Sequence, residues 1–100
     1  MCEEVPIPIG PLSGQEQSIV AKLTEADLQT IDATIITTTP ALFRKVAWVG
    51  VKTEEALSAQ YPGLSFTFYI HRLIHLVDEG RLEAAGNPEY PRFSEVRIPD

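Results

Sequence analysis

The sequence predicts an α+β domain in which the helices come first and a β-hairpin comes last. Three observations carry this. Apolar residues recur at helical spacing in three successive segments between residues 24 and 79, and Gly80 stands just past the last of them. Two short apolar runs then flank the turn-rich connector Gly86-Asn87-Pro88-Glu89-Tyr90-Pro91. One hundred residues with 44% hydrophobic side chains suit one domain with one core.

Residues 1–14 read as an extended, proline-rich arm and residues 15–100 as the domain. In Val5-Pro6-Ile7-Pro8-Ile9-Gly10-Pro11, proline fixes φ and removes amide donors, which suits neither a helix nor a central strand. Val5, Ile7 and Ile9 share one side of the arm, free to pack on the domain or on a second copy. Residues 15–22 carry a weak helical pattern. Thr24 is a strong N-cap, with Glu25 and Asp27 well placed in the first turn. Leu28, Ile31 and Ile35 make the apolar face of that helix. It should end near Ile36, because Thr37, Thr38 and Thr39 are β-branched and Pro40 turns its predecessor away from the helical region.

Pro40 suits the first position of a second helix with Thr39 as cap. Leu42, Phe43, Val46, Ala47 and Val49 or Gly50 would form its buried stripe, with Arg44, Lys45 and Lys52 on the wet side. Thr53-Glu54-Glu55 resembles another cap, so the segment is one helix to about Ala59 or two broken near Gly50; Tyr61-Pro62-Gly63 ends it. Ser65 caps the third helix, whose apolar face is Phe66, Tyr69 or Ile70, Leu73, Ile74 and Val77, and Gly80 is its C-cap glycine. Strands follow at residues 81–84 and 92–98. Three helices, four if the second is broken, followed by a hairpin is the order of a small winged-helix-like domain.

The runs Phe43-Arg44-Lys45-Val46-Ala47-Trp48-Val49, Tyr69-Ile70-His71-Arg72-Leu73 and Leu76-Val77-Asp78-Glu79-Gly80-Arg81-Leu82-Glu83 resemble the bacterial family catalogued as domain of unknown function 3658, as does Phe93-Ser94-Glu95-Val96-Arg97. The resemblance spans about residues 23–99 and is most specific at residues 80–83 and 94–97. It implies a winged-helix-like fold, and it sets the family's first-helix aspartate at Asp32 and its third-helix arginine at Arg72. No activity is established for the family, so the resemblance implies no reaction. An ion pair between Asp32 and Arg72 would tie the two helices together; the alternative role for Arg72 is partner binding beside a carboxylate.

The charge balance narrows the function. Eight basic against fourteen acidic side chains give −6 at neutral pH, the opposite of a nucleic-acid footprint. Residues 64–100 hold four arginines against six acids, so the half that would read DNA is itself not basic. Arg81, Arg92 and Arg97 are the residues that would reach phosphates there. Thr67, His71, Arg72, His75, Asp78 and Glu79 are the expected wet positions of the third helix. His71, His75 and Glu79 repeat at i, i+4, i+8 and offer imidazole and carboxylate, but one helix face does not close a metal shell, so no metal or cofactor is expected. Cys2 lies at the terminus without a nucleophile's context, the serines lack a triad setting, and no phosphate loop is present. A single cysteine, no basic leader and no long apolar run suggest a cytosolic chain without a membrane span.

Phe66 and Phe68 lie about 200° apart on a helix, so both cannot face one core. One of them, with Trp48 or the arm, is expected at a partner surface. The sequence therefore points to a non-enzymatic protein-interaction module that self-associates as a homodimer, with Asp32, Trp48, Phe66, Phe68, Arg72, Arg92 and Arg97 as its structural and contact residues. The alternative is a dimeric winged-helix DNA-binding regulator.

Overall fold

The computed structural model describes residues 8–99. Its elements run α1 (Gly14–Val20), α2 (Glu25–Thr38), β1 (Arg44–Lys45), α3 (Val46–Leu57), α4 (Phe66–Asp78), β2 (Glu83–Ala85), a 3-10 turn (Pro91–Phe93) and β3 (Glu95–Arg97). Four helices and a three-stranded antiparallel sheet make a mixed α+β domain, as the sequence predicts.

α2 starts where its chemistry says. The Asp27 amide donates to Thr24 Oγ1 at 3.1 Å and the Thr24 amide donates back to the Asp27 carboxylate at 2.9 Å, a reciprocal capping box. That Thr24 amide holds the Asp27 carboxyl below its ordinary value. The helix runs two residues past the expected end. Thr38 donates to the Thr34 carbonyl and Thr39 to the Ile35 carbonyl, both at 2.7 Å, so the threonines bond back onto the helix they were expected to erode.

Thr39 is therefore not a cap for a second helix, and Pro40 does not start one. Residues 40–45 run beside β3 instead: the Ile98 amide donates to the Pro40 carbonyl, Arg44 stands opposite Val96, and the Val46 amide donates to the Ser94 carbonyl. Leu42 is 79% exposed and Phe43 36%, so neither belongs to a buried stripe. α3 is continuous through Gly50, and Thr53, fully buried inside it, caps nothing. Gly50 lets α4 approach closely: a Cβ there would lie 2.6 Å from Ile70 Cδ1 and 2.7 Å from Phe66 Cε2.

α4 buries Phe68, Tyr69, Ile70, Leu73 and Leu76, with Phe66 and Val77 half-buried at the margin of the core. Phe68 and Phe66 both find apolar surroundings because α4 is wrapped on more than one side. The helix ends in a Schellman motif, with Gly80 at φ +81°, its amide on the Val77 carbonyl and the Arg81 amide on the Leu76 carbonyl. The sheet order is β1-β3-β2, with Val96, fully buried, in its centre between Arg44 and Ala84. The strands are shorter than expected, and Arg92 and Phe93 belong to the 3-10 turn.

Ile31, Ile35, Val46, Val49, Ile70, Leu73, Leu76 and Val96, all at most 1% exposed, are the most deeply buried aliphatic members of the core with Tyr69. The hydroxyls of Thr53 and Tyr69 are buried with no hydrogen-bond partner. Burial pushes the Tyr69 phenol up from 10.0 to about 12. The folded state thus favours the neutral ring, a preference fully present below pH 10 and lost as pH rises through about 12. Tyr69→Phe removes an orphan donor without opening a cavity. It is expected to keep or raise stability at neutral pH by up to about 1 kcal/mol and to flatten the alkaline loss, as urea midpoints across pH will show.

Candidate interaction surfaces

Asp32 and Arg72 meet across α2 and α4 in a two-pronged pair: Nε to Oδ1 at 3.0 Å and Nη2 to Oδ2 at 2.7 Å. Their side chains are only 9% and 20% exposed. Arg72 is thus not a wet position of α4 but part of the joint between two helices, where the planar guanidinium fixes their crossing.

The outer face of α4 and the hairpin is where a winged helix would read DNA. His71, His75, Asp78 and Glu79 are exposed there. Arg97 donates to Glu83 at 3.0 Å across the β2–β3 pair and stacks its guanidinium 4.7 Å over the Phe43 ring. Arg92, on the 3-10 turn, and Arg81, past α4, are exposed. The arm crosses this face. The Ile9 amide donates to the Glu89 carbonyl in the hairpin loop at 2.6 Å, and His71 Nε2 lies 2.9 Å from the Gly10 carbonyl, so that nitrogen is the donor. Ile9 and Leu12 pack against the core. Val5, Ile7 and Cys2 lie outside the described residues. The three candidate metal ligands are not gathered: His71 is turned to the arm and His75 to Glu79 at 3.4 Å, and no group of three His, Cys, Asp or Glu suits a metal among the described residues.

Glu16 on α1 is a buried carboxylate that the sequence reading passed over. It accepts from the Ser65 amide at 2.6 Å and from the Ser65 hydroxyl at 2.9 Å. Ser65 sits at the N-cap of α4 yet makes no side-chain bond to its own helix, because its hydroxyl serves Glu16. A carboxylate at a helix N-terminus complements the free amides and the dipole. The bond spans 49 residues, and no spacing rule links them.

Among the described residues the exposed large apolar side chains are Leu42 and Phe43, just before β1, Val51 on α3 and Phe93 on the 3-10 turn, which packs on α3 and β1. Trp48, half-buried on the same side of α3 as Val51, has the Arg44 guanidinium 4.3 Å from its ring centroid and the Lys52 ammonium 6.0 Å away. Of the aromatic contact candidates, Trp48 alone keeps that place. Phe68 is 3% exposed in the core and half-buried Phe66 packs at its margin beside Gly50, because neighbours cover α4 on more than one side.

α2 offers a surface of another kind. Thr30, Ala33, Thr34, Thr37 and Thr38, with Ala56 of α3, line a shallow groove of about 490 Å³. Thr30, Thr34 and Thr38 each donate to the carbonyl four residues back, at 2.7–3.0 Å. Their hydroxyls are spent on the helix, and what faces outward is uncharged. Among the described residues no helix is long and apolar enough to cross a membrane. Compared with protein-family models, curated proteins and solved structures, the chain finds no match.

Proposed function

We propose that the chain is a non-enzymatic protein-interaction module of winged-helix type, acting in the cytosol, that pairs with a second copy through the outer face of α2. The helix, strand, helix, helix, hairpin order and the β1-β3-β2 sheet support the winged-helix reading. The observation that carries self-pairing is the uncharged α2 groove with its internally bonded threonines. A chain at −6 repels its own copy, so contact is cheapest where no charge is brought together. Burying hydroxyls already bonded to carbonyls leaves no orphan donor. A face that meets its own image also closes as a two-fold dimer.

Light scattering behind size exclusion tests this. The expected result is a dimer, and Ala33→Glu, which sets two like charges across the two-fold axis, should weaken it at least about tenfold while circular dichroism stays unchanged. A dimer indifferent to Ala33→Glu rejects the α2 face, and a wild-type monomer at all concentrations rejects self-pairing.

One observation favours the DNA-binding alternative. Arg44 and Lys45 are exposed at the start of α3, the helix that crosses the phosphate backbone in winged-helix complexes. Against it stand Arg72 and Arg97, both bonded to carboxylates, and the arm laid over α4. Co-elution with a random duplex at about 50 mM salt, lost as salt rises, would put the regulator first.

A further inference from the structure

We infer that the Trp48 surface is a docking site for an acidic polypeptide segment bearing an aliphatic anchor, supplied by a partner protein. This stands apart from the α2 pairing face and does not depend on it.

Charge is distributed unevenly along the chain. Residues 33–53 hold three of the eight basic side chains, Arg44, Lys45 and Lys52, and none of the fourteen acids; the rest of the chain holds five basic against fourteen acidic groups. Basic residues thus outnumber acids along β1 and the first part of α3, with Glu95 opposite Lys45 across the sheet. Among the described residues no ion pair engages Arg44 or Lys45. Lys52 pairs with Glu55 at 3.5 Å, but both side chains are about half exposed, and such a pair exchanges readily for an incoming acid.

Helical spacing then sets the apolar part beside the charge. Trp48, Val51 and Lys52 share the outer side of α3, away from buried Val49, Gly50 and Thr53. Arg44 lies over the same ring from the strand before it. A guanidinium stacked on an indole is partly desolvated and fixed in direction already, so a carboxylate meeting it orders little that is not ordered. The Trp48 ring and Val51, 44% exposed beside it on α3, gain from an aliphatic neighbour. A phosphate backbone offers them none, which is why a polypeptide fits this surface better than a nucleic acid.

Trp48 is the only tryptophan, so its emission reports on the site in the full-length protein. The probe is a synthetic peptide of alternating Glu and Leu; the controls are the same peptide with Gln for Glu, oligoglutamate without Leu, and a short duplex. Saturable change of Trp48 emission with the Glu-Leu peptide alone is expected, weakening with salt and by about three- to tenfold in Arg44→Ala. Arg44 is exposed, and Lys52→Ala provides a second variant with the same expectation should Arg44→Ala disturb β1. No emission change, or equal binding of the Gln peptide, overturns the proposal. Stronger binding of the duplex assigns the surface to phosphate instead, and emission that varies with protein concentration alone assigns it to a second copy. Because dimerisation is read separately by Ala33→Glu, failure here leaves the α2 reading untouched, and the reverse.

Discussion

Asp32→Ala is expected to cost about 3–5 kcal/mol, the loss typical of a buried ion pair stripped of one member. The Arg72 side chain is 20% exposed and directs its Nε and Nη2 to Asp32; removing the carboxylate leaves a cation between α2 and α4 with two donors unmet. Turning Arg72 out to water would give up the burial of a side chain only 20% exposed. The pair as a whole adds much less than that figure suggests, because both charges left water to form it. Asp32→Leu combined with Arg72→Met should therefore recover most of the loss. Urea unfolding of the single and double variants checks this. A single-variant loss below about 1 kcal/mol would mean the pair behaves as a solvated one, and a double variant as poor as the single would mean that the charges contribute more than orientation.

Gly50→Ala should destabilise by about 1–2 kcal/mol, although a glycine inside a helix usually gains up to about 1 kcal/mol from that change. The added carbon would lie 2.6 Å from Ile70 Cδ1 and 2.7 Å from Phe66 Cε2, closer than real contacts allow. Phe66 is half-buried and can turn; Ile70 is fully buried and cannot yield without disturbing the core. Overpacking of this kind costs about 1–3 kcal/mol and outweighs the gain in helix propensity. Ile70→Val removes the offending Cδ1, so the double variant should be more stable than the sum of its parts. Simple additivity, or a stabilised Gly50→Ala, would show that α3 and α4 separate at little cost.

Much of the architecture is legible wherever the signal is local. Thr24 and Asp27 announce α2 because the cap and its return bond lie within three residues. Gly80 ends α4 because only its positive φ closes the Schellman turn. The segment after α2 is illegible for the same reason in reverse. Two residues, Arg44 and Lys45, have no strand pattern, and what makes them a strand is β3, some fifty residues on. The Thr39-Pro40 pair reads as a helix start, yet the threonine hydroxyl turns backward to Ile35 and the proline carbonyl is held by Ile98. That one misreading sets Leu42 and Phe43 in a buried stripe and hides their exposure.

The candidate sites divide along the same line. The Asp32–Arg72 joint is not legible in periodicity, since nothing in spacing links residues forty apart. Trp48 is legible as a large aromatic with no obvious place in the core, but its two cations read only as wet positions until β1 bends Arg44 over the ring. Phe68 fails as a contact residue because one helix wheel cannot show that α4 is covered on more than one side. Glu16 needs the tertiary fold to matter at all.

The sheet's margins decide what kind of assembly this chain can build. β1 offers an edge of two cationic residues, preceded by Pro40 and cut short where α3 begins; β2 offers three, beginning with Glu83 and followed at once by Gly86. Neither is long or flat enough to template another strand. Among the described residues the sheet thus offers no edge suited to ordered growth by strand addition, the route to fibrils, and leaves contact to side chains.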